Sequence, residues 1–244
     1  MKIGVLGDVH ANLAALQATL AALDAEGCDQ LLCTGDLVGY GPSPAECVKI
    51  IREREIPCVL GNHDKYVTLI ADPQLDRLEP EILTTVQWTQ SRLDMQALKW
   101  LAELPLRLDA DTFSVIHGIF GPHRWAYIVR DPKYRDEHFA NQDTPLVFCG
   151  HCHMPLLGVQ QEGRPVKLDF LKTSTLPTGA KAMVNPGSVG QPRDRDPRAA
   201  CVVYEMDDQI VRPLRVEYDI AATQALMRAA KLPERHAARL ADGK

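Results

Sequence analysis

The sequence predicts an α/β fold in which helices cover a parallel β-sheet, and three observations lead to that prediction. Over the first 62 residues, apolar strand-like runs alternate with helical patterns in the order β-α-β-α-β, which is typical of a parallel sheet with helices on its faces. Polar clusters follow these runs at their carboxyl ends, where open α/β sheets bind ligands. After residue 105 the apolar runs come closer together, which predicts β-hairpins and a second sheet.

The first half begins with MKIGVLG, an apolar run that predicts a short strand. A helix is predicted over residues 12–27, because leucines recur at helical spacing until Gly27 ends the pattern. Three further elements are predicted in order: a strand at 29–36, a helix at 44–55 and a strand at 56–62. Residues 78–104 are predicted to be mostly helical and to stop at Pro105.

The second half contains mainly strand patterns. They lie at residues 106–110, 113–118, 145–151, 156–161, 166–172, 181–187, 199–206 and 209–218. From Ala221 onward we expect a polar amphipathic helix with a frayed end at residues 241–244. No repeat or linker interrupts the chain, so residues 1–244 are expected to form one domain.

Composition excludes some classes of function and favours others. The formal net charge of −5 gives no reason to expect a nucleic-acid surface. No apolar run reaches the length of a membrane span, and the N-terminus does not resemble a secretory signal. The seven cysteines are odd in number and scattered, which favours reduced, mostly buried thiols in a cytoplasmic protein.

Five of the eight histidines fall at the ends of predicted strands: His10, His63, His117, His151 and His153. Taken singly, such residues have simpler explanations. Asp8 can cap a helical turn, Asn62 can cap a helix that follows a turn, and His117 can be a core histidine. Taken together, so many polar groups at one rim would cost several kcal/mol unless something pairs them. Mixed oxygen and nitrogen ligands without thiolates suit manganese, iron, cobalt, nickel or zinc ions.

The order of these motifs resembles the calcineurin-like metallophosphoesterase superfamily. The motifs are Asp8-Val9-His10, Gly35-Asp36, Gly61-Asn62-His63-Asp64, His117-Gly118 and Gly150-His151-Cys152-His153. The segment at residues 35–42, GDLVGYGP, and the segment at residues 185–193, NPGSVGQPR, are similar to the small single-domain bacterial and archaeal phosphoesterases of that superfamily. The resemblance implies a four-layer sandwich, in which two mixed sheets lie face to face with helices outside.

The resemblance also implies two divalent metal ions, with manganese favoured. One ion would be held by Asp8, His10, Asp36 and His153, and the other by Asp36, Asn62, His117 and His151. His63 would face the substrate, with Asp64 orienting it. The implied activity is hydrolysis of phosphate esters, as a phosphatase or phosphodiesterase, by a metal-bridging hydroxide.

Other residues have weaker claims to the site. Asn12 could tie the first loop or touch the substrate, Tyr40 could line the cleft or only pack, and Arg193 and Arg195 could reach a phosphate or lie in a solvated loop. The expected partner is a small phosphorylated substrate of undetermined kind. The oligomeric state stays open.

Two alternative interpretations remain. Cys149 and Cys152 have the C-x-x-C spacing of redox or structural-zinc sites, although Met154-Pro155 would not start the helix that a redox motif opens. The chain could also be a non-catalytic interaction subunit built on the same fold. The complete set of ligand residues argues against that second interpretation.

Overall fold

The computed structural model of the protein describes residues 1–244 as eleven strands, eight α-helices and two short 3-10 helices. The strands are β1 (Lys2–Leu6), β2 (Gln30–Cys33), β3 (Arg107–Asp109), β4 (Phe113–Ile116), β5 (Leu146–Phe148), β6 (Pro155–Gln160), β7 (Lys167–Phe170), β8 (Ser174–Thr175), β9 (Lys181–Pro186), β10 (Ala199–Glu205) and β11 (Ile210–Val216). The α-helices are α1 (Leu13–Ala25), α2 (Pro44–Glu53), α3 (Asn62–Thr68), α4 (Pro80–Gln90), α5 (Met95–Ala102), α6 (Pro132–Asn141), α7 (Ile220–Ala229) and α8 (Glu234–Ala238). The 3-10 helices are Pro73–Arg77 and Arg239–Ala241. None of the helices has the length and the apolar run needed to cross a membrane.

The strands form two mixed sheets. The first has the order β2-β1-β10-β11-β8, and the second has the order β3-β4-β5-β9-β6-β7. β1 and β2 are parallel, as are β4, β5 and β9, whereas the remaining pairs are antiparallel. The predicted α/β class and the two mixed sheets are confirmed.

Apolar side chains form three hydrophobic cores, one between the sheets and one between each sheet and its helices. The inner faces of the two sheets meet in one core that includes Ile3 and Val202 from the first sheet and Phe148 from the second. A larger core lies between the first sheet and its helices, and a smaller one joins the second sheet to Phe139 of α6. Each fully buried side chain of this size contributes about 1.5–3 kcal/mol. The result is the expected helix–sheet–sheet–helix sandwich.

β1 shows why the first apolar run has no polar alternation. Ile3 and Val5 belong to the core between the sheets, whereas Leu6 packs toward the helices. A strand buried on both faces needs apolar side chains on both. The helix that follows begins where the sequence predicts, because the Asn12 side chain accepts a hydrogen bond from the backbone N–H of Ala15.

The expected third strand at residues 56–62 does not form. Only an isolated bridge joins Cys33 to Cys58. Pro57 lacks an N–H group and cannot extend a ladder, although its carbonyl accepts a hydrogen bond from the backbone N–H of Cys33. The chain then turns at Gly61 into α3, which still brings Asn62 to the rim of the sheet.

The first sheet is also not the parallel sheet predicted from the first 62 residues. Its centre is completed by β10 and β11, which pair antiparallel to each other, and β10 pairs antiparallel to β1. These strands were expected in the second sheet. Their apolar residues fit either sheet, so the pattern of hydrophobic residues could not assign them.

The C-terminal tail is neither one helix nor frayed. α7 and α8 are separated at Lys231–Pro233, where Lys231 has a φ of 56° and proline cannot continue a helix. Leu240 is buried against Met227, and the carbonyl of Gly243 accepts a hydrogen bond from the backbone N–H of Arg195. This packing fixes the segment against the rest of the protein.

Candidate metal centre

Loops from both sheets meet at one edge of the sandwich. Asp8 and His10 follow β1, and Asp36 follows β2, all in the first sheet. His117 follows β4, and the loop after β5 carries His151 and His153. The two parallel pairs therefore direct their carboxyl ends to a common rim, as the polar clusters in the sequence predicted.

The side chains form two groups whose ligand atoms lie within 4.8 Å of one another. The first cluster consists of Asp8, His10, Asp36 and His153, and the second cluster consists of Asp36, His117 and His151. Asp36 belongs to both. These groupings match the two ligand sets that the resemblance implies, apart from Asn62. The Oδ1 atom of Asn62 lies 3.1 Å from Nε2 of His117, beside the second cluster.

The hydrogen bonds of His10 and His153 fix their tautomers. Nδ1 of His10 lies 3.1 Å from the carbonyl oxygen of Val38, and Nδ1 of His153 lies 2.7 Å from that of Gln191. Carbonyl oxygens only accept, so each Nδ1 carries the hydrogen and each Nε2 a lone pair. The two Nε2 atoms nevertheless face each other at 3.0 Å. Two lone pairs at that distance need a positive charge between them or a proton.

The second cluster follows the same rule. Nδ1 of His117 donates to the carbonyl of Thr34 at 2.7 Å, so Nε2 is the nitrogen that faces the cluster, 3.3 Å from Oδ2 of Asp36. Nε2 of His151 donates to the carbonyl of Trp125 at 2.9 Å, which leaves its Nδ1 as the acceptor. Backbone carbonyls that orient imidazoles in this way are typical of metal-binding histidines.

Each carboxylate has one fixed oxygen and one free oxygen. Oδ1 of Asp36 accepts a hydrogen bond from the backbone N–H of His63, and Oδ1 of Asp8 accepts one from that of His151. Oδ2 of each aspartate is buried without a hydrogen-bond partner. Buried unpaired carboxylate oxygens are costly. The rim therefore contains converging acceptors that a cation would satisfy.

The pKa shifts show that the site favours positive charge beside Asp36. Burial alone would lower the pKa of His117, but the adjacent carboxylate of Asp36 raises it to about 10. Burial alone would raise the pKa of Asp36, but His117 and the other imidazoles hold it below its usual range. Burial, and the charge of Asp36, raise the pKa of Asp8 to about 7. Burial keeps the pKa of His10 and that of His153 well below the usual range, so both rings stay neutral.

The backbone at the rim is strained. Five of the clustered residues have a positive φ: Asp8, His10, Asp36, His151 and His153. Residues other than glycine seldom adopt this conformation, and outliers of this kind collect at functional sites. Gly61 shows how tightly the loops pack, because a Cβ atom there would lie 2.1 Å from Oδ1 of Asp36.

His63 lies beside the clusters but belongs to neither. Its ring centroid is 5.0 Å from that of His10 and 4.5 Å from that of Tyr40. Its Nδ1 is buried without a partner, and burial lowers the pKa of the ring to about 4. The ring is therefore neutral near pH 7 and has one unsatisfied nitrogen.

The expected pairing of Asp64 with His63 is wrong. The carboxylate of Asp64 instead accepts hydrogen bonds from three backbone N–H groups, those of Leu37, Val38 and Gly61. Asp64 therefore joins the loop after β2 to the start of α3. This loop contains Asp36, so Asp64 acts on the site through the backbone.

Of the residues with weaker claims, Asn12 is not available to a substrate. Its oxygen caps α1, and its amide donates to the carbonyl of Gly190 at 3.0 Å, so it ties the first loop. Tyr40 packs edge-on against His10 and is only 6% exposed. Arg195 is exposed. Arg193 lies within the site, where its charge lowers the pKa values of His63 and His151 after the larger effect of burial.

The sequence interpretation missed several residues at the rim. Tyr127 stacks on His151 with ring centroids 4.3 Å apart, and Trp125 supplies the carbonyl that orients the same histidine. Ser188 donates to the carbonyl of Asp8. His236, near the C-terminus, packs against Tyr40 at 4.7 Å. Trp125 and Tyr127 are two aromatic residues close together in the sequence, and this spacing could have indicated Tyr127 as a site residue. A backbone carbonyl gives no such signal, because every residue has one.

The C-x-x-C interpretation is not supported by the state of the thiols. Cys149 and Cys152 are both free and buried. Burial raises the pKa of Cys152 to about 12 and that of Cys149 well above its usual range. Reactive cysteines require the opposite shift.

The fold and the site define a class of protein: the chain belongs to the calcineurin-like phosphoesterase superfamily, whose domain profile matches residues 1–209. Among solved structures, a metallophosphoesterase from Sphaerobacter thermophilus is 39% identical, with full coverage of both chains and a TM-score of 0.86. A hypothetical protein from Pyrococcus horikoshii shares the fold, with 20% identity, a TM-score of 0.80 and coverage of 100% and 98%.

Two curated relatives extend the comparison. An uncharacterized protein of Methanocaldococcus jannaschii is 34% identical over 95% of this chain and 94% of its own length. A symmetrical bis(5'-nucleosyl)-tetraphosphatase of Vibrio parahaemolyticus is 28% identical over 50% of this chain. The match spans only 46% of that enzyme. The chain is thus a phosphoesterase-family protein with Asp and His residues that can hold metal ions.

Proposed function

We propose that the two clusters bind two divalent cations bridged by Asp36, and that the protein hydrolyses phosphate esters at this centre. The observation that carries the proposal is the convergence of buried carboxylate oxygens and imidazole nitrogens. Within each cluster, the free carboxylate oxygens and one ring nitrogen from each of two histidines lie within 4.8 Å of one another. Asn62 would complete the second site through Oδ1. Manganese is the proposed ion, and iron, zinc, cobalt or nickel suit the same donors.

Two bound cations would offset the charge of a phosphoryl group and lower the pKa of a bridging water from about 15.7 toward about 7. The side chains of the protein then have separate tasks. Asp36 fixes the spacing, because its Oδ1 is held by the backbone N–H of His63 at 2.8 Å while Oδ2 faces both clusters. The carbonyls of Val38, Gln191, Thr34 and Trp125 each bond one ring nitrogen and so turn the other nitrogen of the imidazole toward the clusters.

His63 is proposed to act on the substrate. It is outside both clusters and is neutral, and because its Nδ1 is buried, Nε2 is the nitrogen that a substrate would reach. Such a ring can hydrogen-bond to a phosphoryl oxygen or assist proton transfer at the leaving oxygen, which is typically worth about 10²–10⁴-fold in rate. Arg193, whose backbone N–H donates to the carbonyl of His153 at 3.1 Å, would bind a phosphoryl oxygen.

The test is metal content together with turnover. Protein purified without metal is titrated with Mn²⁺ and assayed with p-nitrophenyl phosphate, bis-p-nitrophenyl phosphate and a bis(5'-nucleosyl) tetraphosphate. The last substrate is included because half of the chain is similar to enzymes of that name. We expect two ions per chain and turnover of at least one substrate. Binding of fewer than two ions, or no turnover with two ions bound, would contradict the proposal.

A further inference from the structure

His63 is held in the site by packing. The four clustered histidines are each fixed by a backbone carbonyl, whereas no carbonyl bonds the ring of His63, and its Nδ1 is buried without a partner. Three rings surround it, with centroids at 4.5 Å for Tyr40, 5.0 Å for His10 and 5.8 Å for Tyr66. The nearest of them is Tyr40. The orientation of His63 therefore depends on where the ring of Tyr40 lies.

Tyr40 is packed between the site and the C-terminal segment. Its ring centroid lies 4.7 Å from that of His10 and 4.7 Å from that of His236, and the ring of His236 meets it at 90°. The ring of Tyr40 thus contacts two histidines of the site, His10 and His63, and one histidine of α8. Any change at His236 can reach the site through this ring.

The helix that carries His236 is anchored away from the site. Ala237, the next residue, packs in a buried cluster with Met227 and Leu240. On the side of α4, Nε2 of His236 lies 3.7 Å from Oε2 of Glu81. α8 therefore offers His236 a fixed backbone from which to contact Tyr40.

Hydrogen bonding does not account for a histidine at position 236. The side chain is buried, its Nδ1 has no partner, and its Nε2 is beyond hydrogen-bond distance of Glu81. Burial lowers the pKa of the ring to about 4, so it is neutral at pH 7 and forms no ion pair. What remains is the edge-on contact with Tyr40, a geometry that aromatic rings prefer.

We propose that His236 is a positioning residue, which holds His63 through the ring of Tyr40 in the orientation that acts on the substrate. This inference rests on the proposed function, in which His63 has its task. It assigns a part of the site to a helix beyond residue 209, where the family profile ends. His10 depends less on Tyr40, because its Nδ1 is also held by the carbonyl of Val38. Loss of His236 should therefore slow turnover and leave metal binding intact.

The first experiment measures kcat, KM and metal content of His236→Ala with Mn²⁺ and the two p-nitrophenyl esters. We expect kcat to fall about 10- to 100-fold, because a catalytic group displaced by about 1 Å can lose about 10²-fold in rate. KM should change by less than about twofold, because the groups that bind the ester in the ground state stay in place. Two ions should remain bound. His236→Phe keeps a ring that can meet Tyr40 edge-on and should recover most of the loss.

Arg235→Gln is the matched control. Arg235 lies on the same helix, is exposed, and has its Nη1 3.7 Å from the same carboxylate of Glu81. This variant should keep the wild-type kcat. Unchanged kcat in His236→Ala, or a folded His236→Phe that is as slow as His236→Ala, would overturn the proposal.

A double variant tests whether the effect passes through Tyr40. Tyr40→Leu removes the intermediate ring, so adding His236→Ala to it should cost no further activity. Independent effects would instead multiply, and that result would also overturn the proposal.

Crystal structures of the wild type and His236→Ala give a readout that does not need turnover. We expect the rings of Tyr40 and His63 to shift by more than about 0.5 Å in the variant, a displacement that matters in a catalytic site. Rings that superpose on the wild type would contradict the proposal. A thermal melt checks folding, and His236→Leu, which fills the space without a ring, replaces His236→Ala if that variant unfolds. Absence of turnover in the wild type would contradict the proposed function and leave this structural test in force.

Discussion

At the scale of single residues, the site is defined by which atom each side chain presents. Histidine has two nitrogens with different roles, and the partner of one decides the role of the other. In four histidines a backbone carbonyl accepts a hydrogen bond from one ring nitrogen, so the other nitrogen faces the clusters. Asp36 is the residue on which both clusters depend, since it belongs to each of them.

Replacing Asp36 should therefore affect both metal sites. Asp36→Asn keeps the shape of the side chain but removes the charge shared by the two clusters, and we expect loss of both ions and of activity. Asp8→Asn touches only the first cluster and should retain one ion. Metal analysis after gel filtration measures the stoichiometry. Retention of two ions by Asp36→Asn would show that it is not the bridge.

His63 should separate metal binding from catalysis. His63→Ala removes a ring that is outside both clusters, so we expect two ions to remain while kcat falls by about 10²–10⁴-fold. Metal content and turnover are measured on the same sample. Loss of both ions in this variant would instead make His63 a ligand.

At the scale of elements, the loops after β1, β2, β4 and β5 do the positioning, and the elements themselves supply rigidity. Asp64 illustrates this, because its carboxylate accepts hydrogen bonds from three backbone N–H groups and so joins the loop after β2 to α3.

Elsewhere in the protein, α6 packs on the second sheet through Phe139. The same helix carries His138, which is fully buried.

His138 should make stability depend on pH. Burial lowers its pKa to about 4 from the ordinary 6.5, and its Nδ1 accepts a hydrogen bond from the backbone N–H of Phe120. The unfolded chain then binds a proton below pH 6.5 that the folded chain refuses until about pH 4. The folded state therefore has its full stability above pH 6.5, and its unfolding free energy decreases as the pH falls from 6.5 toward about 4.

The variant His138→Gln keeps an acceptor but does not titrate. Between pH 7 and pH 5, we expect the wild type to lose about 1–2 kcal/mol more unfolding free energy than the variant. Urea denaturation at each pH measures the difference. Equal losses in both proteins would show that His138 does not carry this effect.

At the scale of the whole molecule, the metal centre joins the two sheets. The first sheet supplies Asp8 and Asp36, and the second supplies His117 and His151. Ions that bind only the folded arrangement stabilise it by mass action. Without ions, the buried carboxylate oxygens at the rim have no hydrogen-bond partner. Bound ions would therefore stabilise the fold, and the fold would hold the ions.

Removing the ions should therefore lower the melting temperature. At a free metal concentration 100 times Kd, each ion adds about 2.7 kcal/mol, which corresponds to about 5–10 °C for a chain of this length. Differential scanning calorimetry with Mn²⁺ and with a chelator measures the change. The Asp36→Asn variant, which lacks the shared ligand, should melt at the same temperature under both conditions.

The sequence alone determined the α/β class, most elements and the placement of Asp and His side chains at one rim of the sheets. Strand ends and helix caps are local properties, and ligand side chains placed directly after buried strands are visible without coordinates. Only the tertiary structure decided that β10 and β11 join the first sheet, that Pro57 prevents a third strand, and that Asp64 holds backbone N–H groups instead of His63. It also decided which nitrogen of each histidine faces the clusters. These features depend on contacts between distant residues or on backbone carbonyls, which every residue has and no sequence pattern distinguishes.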